Sequence, residues 1–427
     1  MPRSQRIALR HLDPKATNPA LLIDREAERE RLYAPLKEYI TDPVNLAQNL
    51  SVAVVGEKGV GKSIFTLSVL KRLREEHSDQ IVTVEVDCRR HRGWRELLFG
   101  VCDKLKLELE SLSSVGQKLP EYAIDAASLL RDLARLDHAQ EVTLEDYAFT
   151  TIRKGKLGGA WALTKLAKLE LSLELTITET HKRSVSGARL LDEDRLTRMI
   201  SALFTDLARD GLRAVVFIDN LDEVNHDSYI RAKDRDAVRR EVEGLLKLED
   251  APIALVLNTR TYFSGVLNRT MRRPIRLEPL PGALLRDVLR RRLDPETPAV
   301  QAQMATPEVE SELVWLSELP GTTPFEFLYF VFERAQEGSL SPAEREPSVQ
   351  SILLDCFPNL EREELCKIVR AFDGQARISR DDLEKALGSD YLFEQAMLQQ
   401  AVLPVDFWVP KMFSLDARLL PLRALLA

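Results

Sequence analysis

Short, almost wholly apolar runs alternate with stretches of helical spacing along the first two thirds of the chain. The runs are SVAVVG (51–56), IVTVEVD (81–87), AVVFID (214–219) and IALVLNTR (253–260). Each has the length and composition of a strand buried on both faces, as strands of parallel sheets are. After the first run, SIFTLSVLKRLREEH places Phe65, Val69 and Leu73 at four-residue steps, one face of a helix. LTRMISALFTDLARDG precedes the third run and VRREVEGLLKLED the fourth. Strand, helix and strand in this order form a right-handed crossover, so the pattern predicts one parallel sheet over about 50–278. Upstream, LLIDREAERERLYAPLKEYI has the spacing of an amphipathic helix starting near Asp24. The first 20 residues, with Pro2, Pro14 and Pro19, read as an arm.

The stretch from Leu107 to Leu191 is too long for a connection and reads as an insertion in the sheet domain. It holds a helical pattern, YAIDAASLLRDLARL, and the run ELSLELTITET. There Leu171, Leu173, Leu175 and Ile177 alternate with polar residues, as in a half-exposed strand. After LEPLPG three helical patterns follow: ALLRDVLRRRL, VESELVWLSEL and PFEFLYFVFERAQEG. Beyond LSPAEREPS come EELCKIVRAF, RDDLEKAL and YLFEQAMLQQA, then two extended segments, AVLPVDFWVP and KMFSLDARLLPL. Helices followed by a strand pair in a segment of this size suggest a winged helix.

Composition narrows the class. At roughly 100–200 residues per domain, 427 residues predict two to four domains. Hydrophobic residues make up 44%, which excludes a globally disordered chain. Sixty Lys and Arg against 67 Asp and Glu give −7, so the whole chain is no polycation and any nucleic-acid contact needs a local patch. No apolar run approaches a membrane span, and MPRSQRIALRHLDPK has no signal-peptide core. Cys88, Cys102, Cys356 and Cys366 show neither CxxC spacing nor disulfide density, and read as buried thiols of a reducing compartment. His181 and His226 have no second ligand at metal spacing, so no zinc is expected. A cytoplasmic protein is the expectation.

The chemistry concentrates in GEKGVGKS at 56–63, which fits the phosphate-binding pattern G-x-x-x-x-G-K-[S/T]. Gly56, Gly59 and Gly61 permit dihedrals barred to side chains, so consecutive N–H groups turn inward on a phosphate. The residues from Gly56 through Glu57, Lys58, Gly59, Val60, Gly61, Lys62 and Ser63 to Ile64 are expected to hold ATP. The helix that begins near Lys62 adds its N-terminal dipole. Lys62 reaches the β- and γ-phosphates, and the Ser63 hydroxyl ligates Mg²⁺.

AVVFID ends in Asp219, a carboxylate at the carboxyl end of a buried strand, suited to hold Mg²⁺ in the Walker B role. Hydrolysis also needs a group that orients or deprotonates water. The next residue, Asn220, is an amide and no base, which leaves Asp222 and Glu223.

Taken together, LIDREAERERL, GEKGVGKS, FIDNLDE, LVLNTR and GTTPFEFL resemble the AAA+ and STAND branch of P-loop ATPases. The origin-recognition and helicase-loader type is the architectural parallel, and the resemblance covers most of 20–427, weakest in the insertion. It implies an α/β fold: a parallel-sheet P-loop NTPase core with a helical lid domain and a C-terminal winged-helix domain. The implied division is an arm and helix over 1–45, the core over 46–280 with its insertion at about 107–191, the lid over 281–345 and the winged-helix-like part over 346–427. Arg25, Glu26 and Glu28 resemble the family's R-E-x-E pattern at the adenine side. Asn258 matches sensor 1, which contacts the γ-phosphate or attacking water, and Thr259 and Arg260 resemble the Thr-Arg pair of STAND proteins. Gly321-Thr322-Thr323-Pro324 resembles the Gly-x-Pro lid motif, one residue longer, with no sensor 2 arginine. Asp219-Asn220 replaces the usual Asp-Glu. Both departures imply slow turnover or a switch. Arg269, Arg272 and Arg273 stand where a trans-acting arginine finger often lies; a solvated basic loop is the plainer alternative.

Charge bears on the partner. YLFEQAMLQQA, the expected recognition helix, has no Lys or Arg, and the preceding helix carries Asp381, Asp382 and Glu384. Such a surface repels a phosphate backbone. In the insertion, Arg153, Lys154, Lys156, Lys165 and Lys168 surround Trp161, a combination that suits DNA or an acidic partner, although a solvated face is the plainer reading. The expected function is an ATP-binding and ATP-hydrolysing conformational switch. It acts toward a protein partner or sister subunits, with ATP and ADP as ligands and no membrane. The alternatives are a DNA-engaging loader and a nucleotide-binding scaffold that hardly hydrolyses.

Overall fold

A computed structural model of the chain describes residues 25–42, 49–91, 94–135, 161, 164, 193–223, 248, 251–260, 274–293, 298–336, 340–405 and 411–426. The strand expected over 170–180, the basic segment 151–168 apart from Trp161 and Thr164, the helix expected over 238–250 apart from Leu248, and Arg269, Arg272 and Arg273 lie outside the described residues.

The four apolar runs are strands: β1 Leu50–Gly56, β2 Ile81–Asp87, β3 Arg213–Asp219 and β4 Ile253–Thr259. A fifth, β5 Ile275–Leu277, is only three residues long, too short to stand out as a pattern. The order is β2-β3-β4-β1-β5. The pairs β2–β3, β3–β4 and β1–β5 are parallel, in the registers Asp87↔Asp219, Val216↔Leu255 and Gly56↔Leu277. Every residue of β4 is buried, which explains its unbroken apolar character.

The helices that come with the sheet are α1 Glu26–Thr41, α2 Lys62–Glu76, α3 Trp94–Ser114, α4 Ala123–Arg135 and α5 Glu193–Arg209. In α2, Phe65, Val69 and Leu73 are all buried, as their spacing predicts. The helical pattern at the start of the insertion is α4, whose Ala126, Leu129, Leu130 and Leu133 face inward.

Contacts gather the chain into two units. One unit comprises Arg31–Ala53 and Leu70–Asn258. Its core includes Phe204, Val215, Val216 and Leu255, each with essentially no exposure. Tyr39 donates to the Pro252 carbonyl at 2.6 Å beneath the Arg213 guanidinium. Burial raises the Tyr39 hydroxyl to about 12, against the opposing pull of Arg213.

The other unit comprises Met1–Glu30, Val54–Val69 and Thr259–Ala427. Its helices are α6 Gly282–Leu293, α7 Pro298–Met304, α8 Pro307–Glu318, α9 Pro324–Gln336, α10 Arg345–Cys356, α11 Arg362–Ala371, α12 Arg380–Leu387, α13 Asp390–Leu398 and α14 Leu420–Leu426. Three short strands, β6 Ile378–Ser379, β7 Val402–Pro404 and β8 Met412–Leu415, pair antiparallel in the order β6-β8-β7. One hydrophobic cluster runs from Leu285 in α6 to Leu422 in α14 and includes Phe327, Phe330, Phe357, Phe372 and Phe413. The segment expected to be a lid and the segment after it therefore share a core. Within it, Glu312 is fully buried between Arg334, also fully buried, and Arg345, whose guanidinium lies 4.0 Å from the Trp315 ring. No helix among the described residues is long and apolar enough to cross a membrane.

Candidate functional site

The loop 56–61 leaves the carboxyl end of β1 and feeds α2 at Lys62. Its three glycines are required for different reasons. A Cβ on Gly56 would meet the Leu277 carbonyl of β5 at 2.6 Å, so this position needs space. Gly61 has φ +97° with open surroundings, so it needs left-handed backbone alone. Gly59 needs both: φ is +81°, and a Cβ would stand 2.5 Å from Thr323 Oγ1 and 2.8 Å from Phe325 Cβ. Lys62 is 8% exposed, and its Nζ donates to the carbonyls of Gly56 and Glu57, each at 2.9 Å. Those bonds hold the ammonium against the loop whose N–H groups would surround an anion. Glu57 and Lys58 are exposed, Val60 is buried, and Ser63 and Ile64 are half-buried in the first turn of α2.

The same unit brings two other predicted positions into defined settings. Arg25 is nearly buried, with φ +80°, and its guanidinium donates to the carbonyl of Glu278 just after β5. Pro324 opens α9, and the next N–H, that of Phe325, donates to the Gly59 carbonyl at 3.2 Å. The Gly-Thr-Thr-Pro segment thus lies directly against the phosphate-type loop. Thr323, which makes that contact with Phe325, was read only as part of the Gly-Thr-Thr-Pro motif, and Phe325 and Glu326, which holds Thr323, were not singled out by sequence reasoning. Thr-x-x-Glu before an apolar helix is a capping-box signal that would have found Thr323 and Glu326. Arg260, buried after β4, donates to Gln400 Oε1 at 3.0 Å.

In the other unit, the ends of β2, β3 and β4 collect carboxylates and amides. Asp219 Oδ1 accepts from Asn258 Nδ2 and from the Asn220 N–H, each at 3.1 Å. Asn220 Nδ2 donates to Asp87 Oδ1 at 3.0 Å. Burial pushes the Asp87 carboxyl up, but bonds from Arg89 and Asn220 outweigh it and hold the group below its ordinary value. Asp222 is nearly buried in the single turn Leu221–Glu223; the Glu223 side chain lies outside the described residues. Burial drives the Cys88 thiol well up, and Asp87, Asp219 and Asp222 add to the rise, which marks three acids gathered around one sulfur. Asn220 has φ +56°, a left-handed conformation that Asn tolerates better than Glu. Together with the bond to Asp87, this favours an amide at this position. Asp219 in this unit carries hard oxygen donors, the class that Mg²⁺ takes, and Ser63 in the other unit carries a hydroxyl of the same class. Among the described residues, no group of three or more His, Cys, Asp or Glu could by itself hold a metal ion.

The family described as "AAA ATPase domain" matches residues 22–257, more than half of the chain. Comparison with curated proteins gives no significant match. Three solved structures match along most of the chain's length. Cdc6p from Pyrobaculum aerophilum is 14% identical, covers 97% of this chain and 96% of its own, and has a TM-score of 0.39. The Aeropyrum pernix ORC1 protein in complex with DNA is 16% identical, with coverage of 98% and 95% and a TM-score of 0.43. The Aeropyrum pernix ORC2 protein in ADPNP–ADP complexes is 12% identical, with coverage of 96% and 93% and a TM-score of 0.45.

Proposed function

This chain belongs to the AAA ATPase domain family, and from that membership we propose that it binds ATP at Gly56–Ile64 and works as a nucleotide-driven conformational switch. As a member of the family it is an ATPase. The observation that carries the reading is the family match over 22–257 with GEKGVGKS inside it, at a strand-to-helix junction.

In this reading the loop amides bind the phosphates and Lys62 Nζ neutralises the β- and γ-phosphates. Ser63 and Asp219 would hold Mg²⁺, which when bound offsets charge on the phosphate oxygens. Asn258 orients the γ-phosphate or the attacking water, and its bond to Asp219 Oδ1 supports that role by fixing the amide. Asp222 is the favoured water-activating group and Glu223 the second choice. Arg25 and Pro324 border the nucleotide on its adenine and lid sides.

Two outputs follow from such a switch. A DNA-engaging loader is the reading toward which the similar structures lean, since one of them is described in complex with DNA. A protein-directed output is supported by α13, which carries no Lys or Arg and exposes Asp390, Tyr391 and Glu394. Titration of duplex DNA at two salt concentrations, with and without ATP, decides between them. ATP-dependent binding that falls steeply with salt and is lost in the triple variant Arg153→Ala, Lys154→Ala, Lys156→Ala establishes the loader. Salt-insensitive or absent binding rejects the loader and leaves the protein-directed switch as the reading. Failure of the wild type to bind ATP at all rejects both.

A further inference from the structure

Thr323-Pro324-Phe325-Glu326 forms a capping box at the start of α9. The Thr323 N–H donates to Glu326 Oε2 at 3.0 Å, and the Thr323 hydroxyl donates to the same oxygen. An ordinary capping box lies in solvent and uses an ionised carboxylate. Here Glu326 is 4% exposed and faces Asp416, itself 3% exposed. Asp416 Oδ1 accepts from the Arg418 N–H at 2.9 Å and from its Nε at 2.8 Å. Leu316 of α8, Leu319 just after it, Thr322, Phe327 and Phe330 of α9, Ala417 and Pro421 line the same space and carry no charge. On its far side the capped turn meets Gly59: Phe325 N–H donates to the Gly59 carbonyl, and Thr323 Oγ1 occupies the space a Cβ there would need. Glu326, Thr323 and Gly59 therefore form a continuous chain of contacts that ends at the phosphate-type loop, with the Asp416 carboxylate acting on Glu326 through its charge.

We propose that Glu326 is a positioning residue for the phosphate loop: by holding the Thr323–Phe325 turn against Gly59, it keeps the loop amides arranged for a phosphate. The inference rests on the reading that this loop binds nucleotide. Burial, with Asp416 adding, raises the Glu326 carboxyl to about 8, while the Thr323 bonds and Arg418 pull the other way. The group is thus neutral in the folded protein at pH values where an exposed glutamate, near 4.5, has lost its proton. Its stabilisation is full below that lower value and is lost as pH rises through about 8. Ionisation then sets two carboxylates in one buried space beside the Arg418 guanidinium, and the turn loosens from the loop.

The test compares wild type, Glu326→Gln and Glu326→Ala in two measurements on the full chain. The first is amide hydrogen exchange of residues 57–61 without nucleotide; the second is MgATP affinity. Glu326→Ala is expected to speed loop exchange and weaken MgATP by about tenfold each, the scale of a lost cap. Glu326→Gln keeps an acceptor for the Thr323 N–H. It is expected to match wild type near pH 6.5 and to lack the loosening that wild type undergoes near pH 9, once intrinsic exchange rates are corrected. Wild-type loop exchange in Glu326→Ala, or a common pH profile for wild type and Glu326→Gln, overturns the proposal. Should Glu326→Ala not fold, Thr323→Ala against Thr323→Ser replaces it, and equal loop exchange in those two overturns it likewise. A wild type that binds no MgATP rejects the nucleotide reading alone, because the exchange measurement still decides the positioning role.

Discussion

The side-chain amide of Asn220 donates to Asp87 Oδ1 at 3.0 Å and so ties the carboxyl ends of β2 and β3, two positions 133 residues apart. Asp87, Asp219 and Asp222 all act on the same corner around Cys88, so a further carboxylate at position 220 would add repulsion. Asn220→Asp replaces attraction with repulsion between two carboxylates at hydrogen-bond distance. We expect a destabilisation of about 1–3 kcal/mol, larger at pH 8, where both groups are ionised, than at pH 4.5. Urea denaturation at the two pH values checks this; a loss independent of pH removes charge as the cause.

Gly59 and Gly61 both carry positive φ, yet only Gly59 is pressed against another segment. Gly61→Ala is expected to cost only the left-handed backbone penalty, about 1–2 kcal/mol. Gly59→Ala adds a collision with Thr323 and Phe325, so it is expected to detach the α9 turn as well as to weaken nucleotide binding. Hydrogen exchange of the amides of Thr323, Phe325, Glu326 and Phe327 in both variants separates the two effects: protection is lost in Gly59→Ala and retained in Gly61→Ala.

Lys62 both supplies the cation for the phosphates in the proposed function and binds two loop carbonyls. Lys62→Ala is therefore expected to abolish MgATP binding, and full ATPase activity in this variant would reject the assignment. Asp222→Ala is expected to leave MgATP affinity within about threefold and to lower turnover by about 10²-fold, the lower range for a lost general base. Calorimetric titration and steady-state phosphate release measure the two quantities separately.

Glu312 is buried with Arg334 and beside Arg345. Removing one partner of a buried ion pair leaves an uncompensated charge and typically costs ~3–5 kcal/mol. Glu312→Ala is expected to lower stability by that order while nucleotide affinity of the folded fraction stays unchanged. Denaturant midpoints together with MgATP titration at low temperature test both halves of the statement.

Local pattern carried the reading a long way. The runs at 51–56, 81–87, 214–219 and 253–260 became parallel strands because an all-apolar run of that length is stable only when buried on both faces. GEKGVGKS lay at the predicted strand-to-helix junction, and six helices between 282 and 398 followed their apolar spacing, whereas α7 and α10 were not read from the sequence. β5 escaped because three residues hold too little periodicity, and Glu326 escaped because a capping glutamate looks the same in sequence whether its carboxyl meets water or a buried Asp416.

Residue order by itself determined the four long strands, most of the helices, the phosphate-type loop and the family, since each depends on neighbours within one or two turns of chain. Tertiary structure alone decided that Gly56 must leave room for the Leu277 carbonyl, that Arg25 reaches Glu278 and that Asn220 bridges to Asp87. It also decided that the Thr323–Glu326 turn rests on Gly59. Those partners are brought together by sheet order and by a shared core, and distance along the chain holds no record of either.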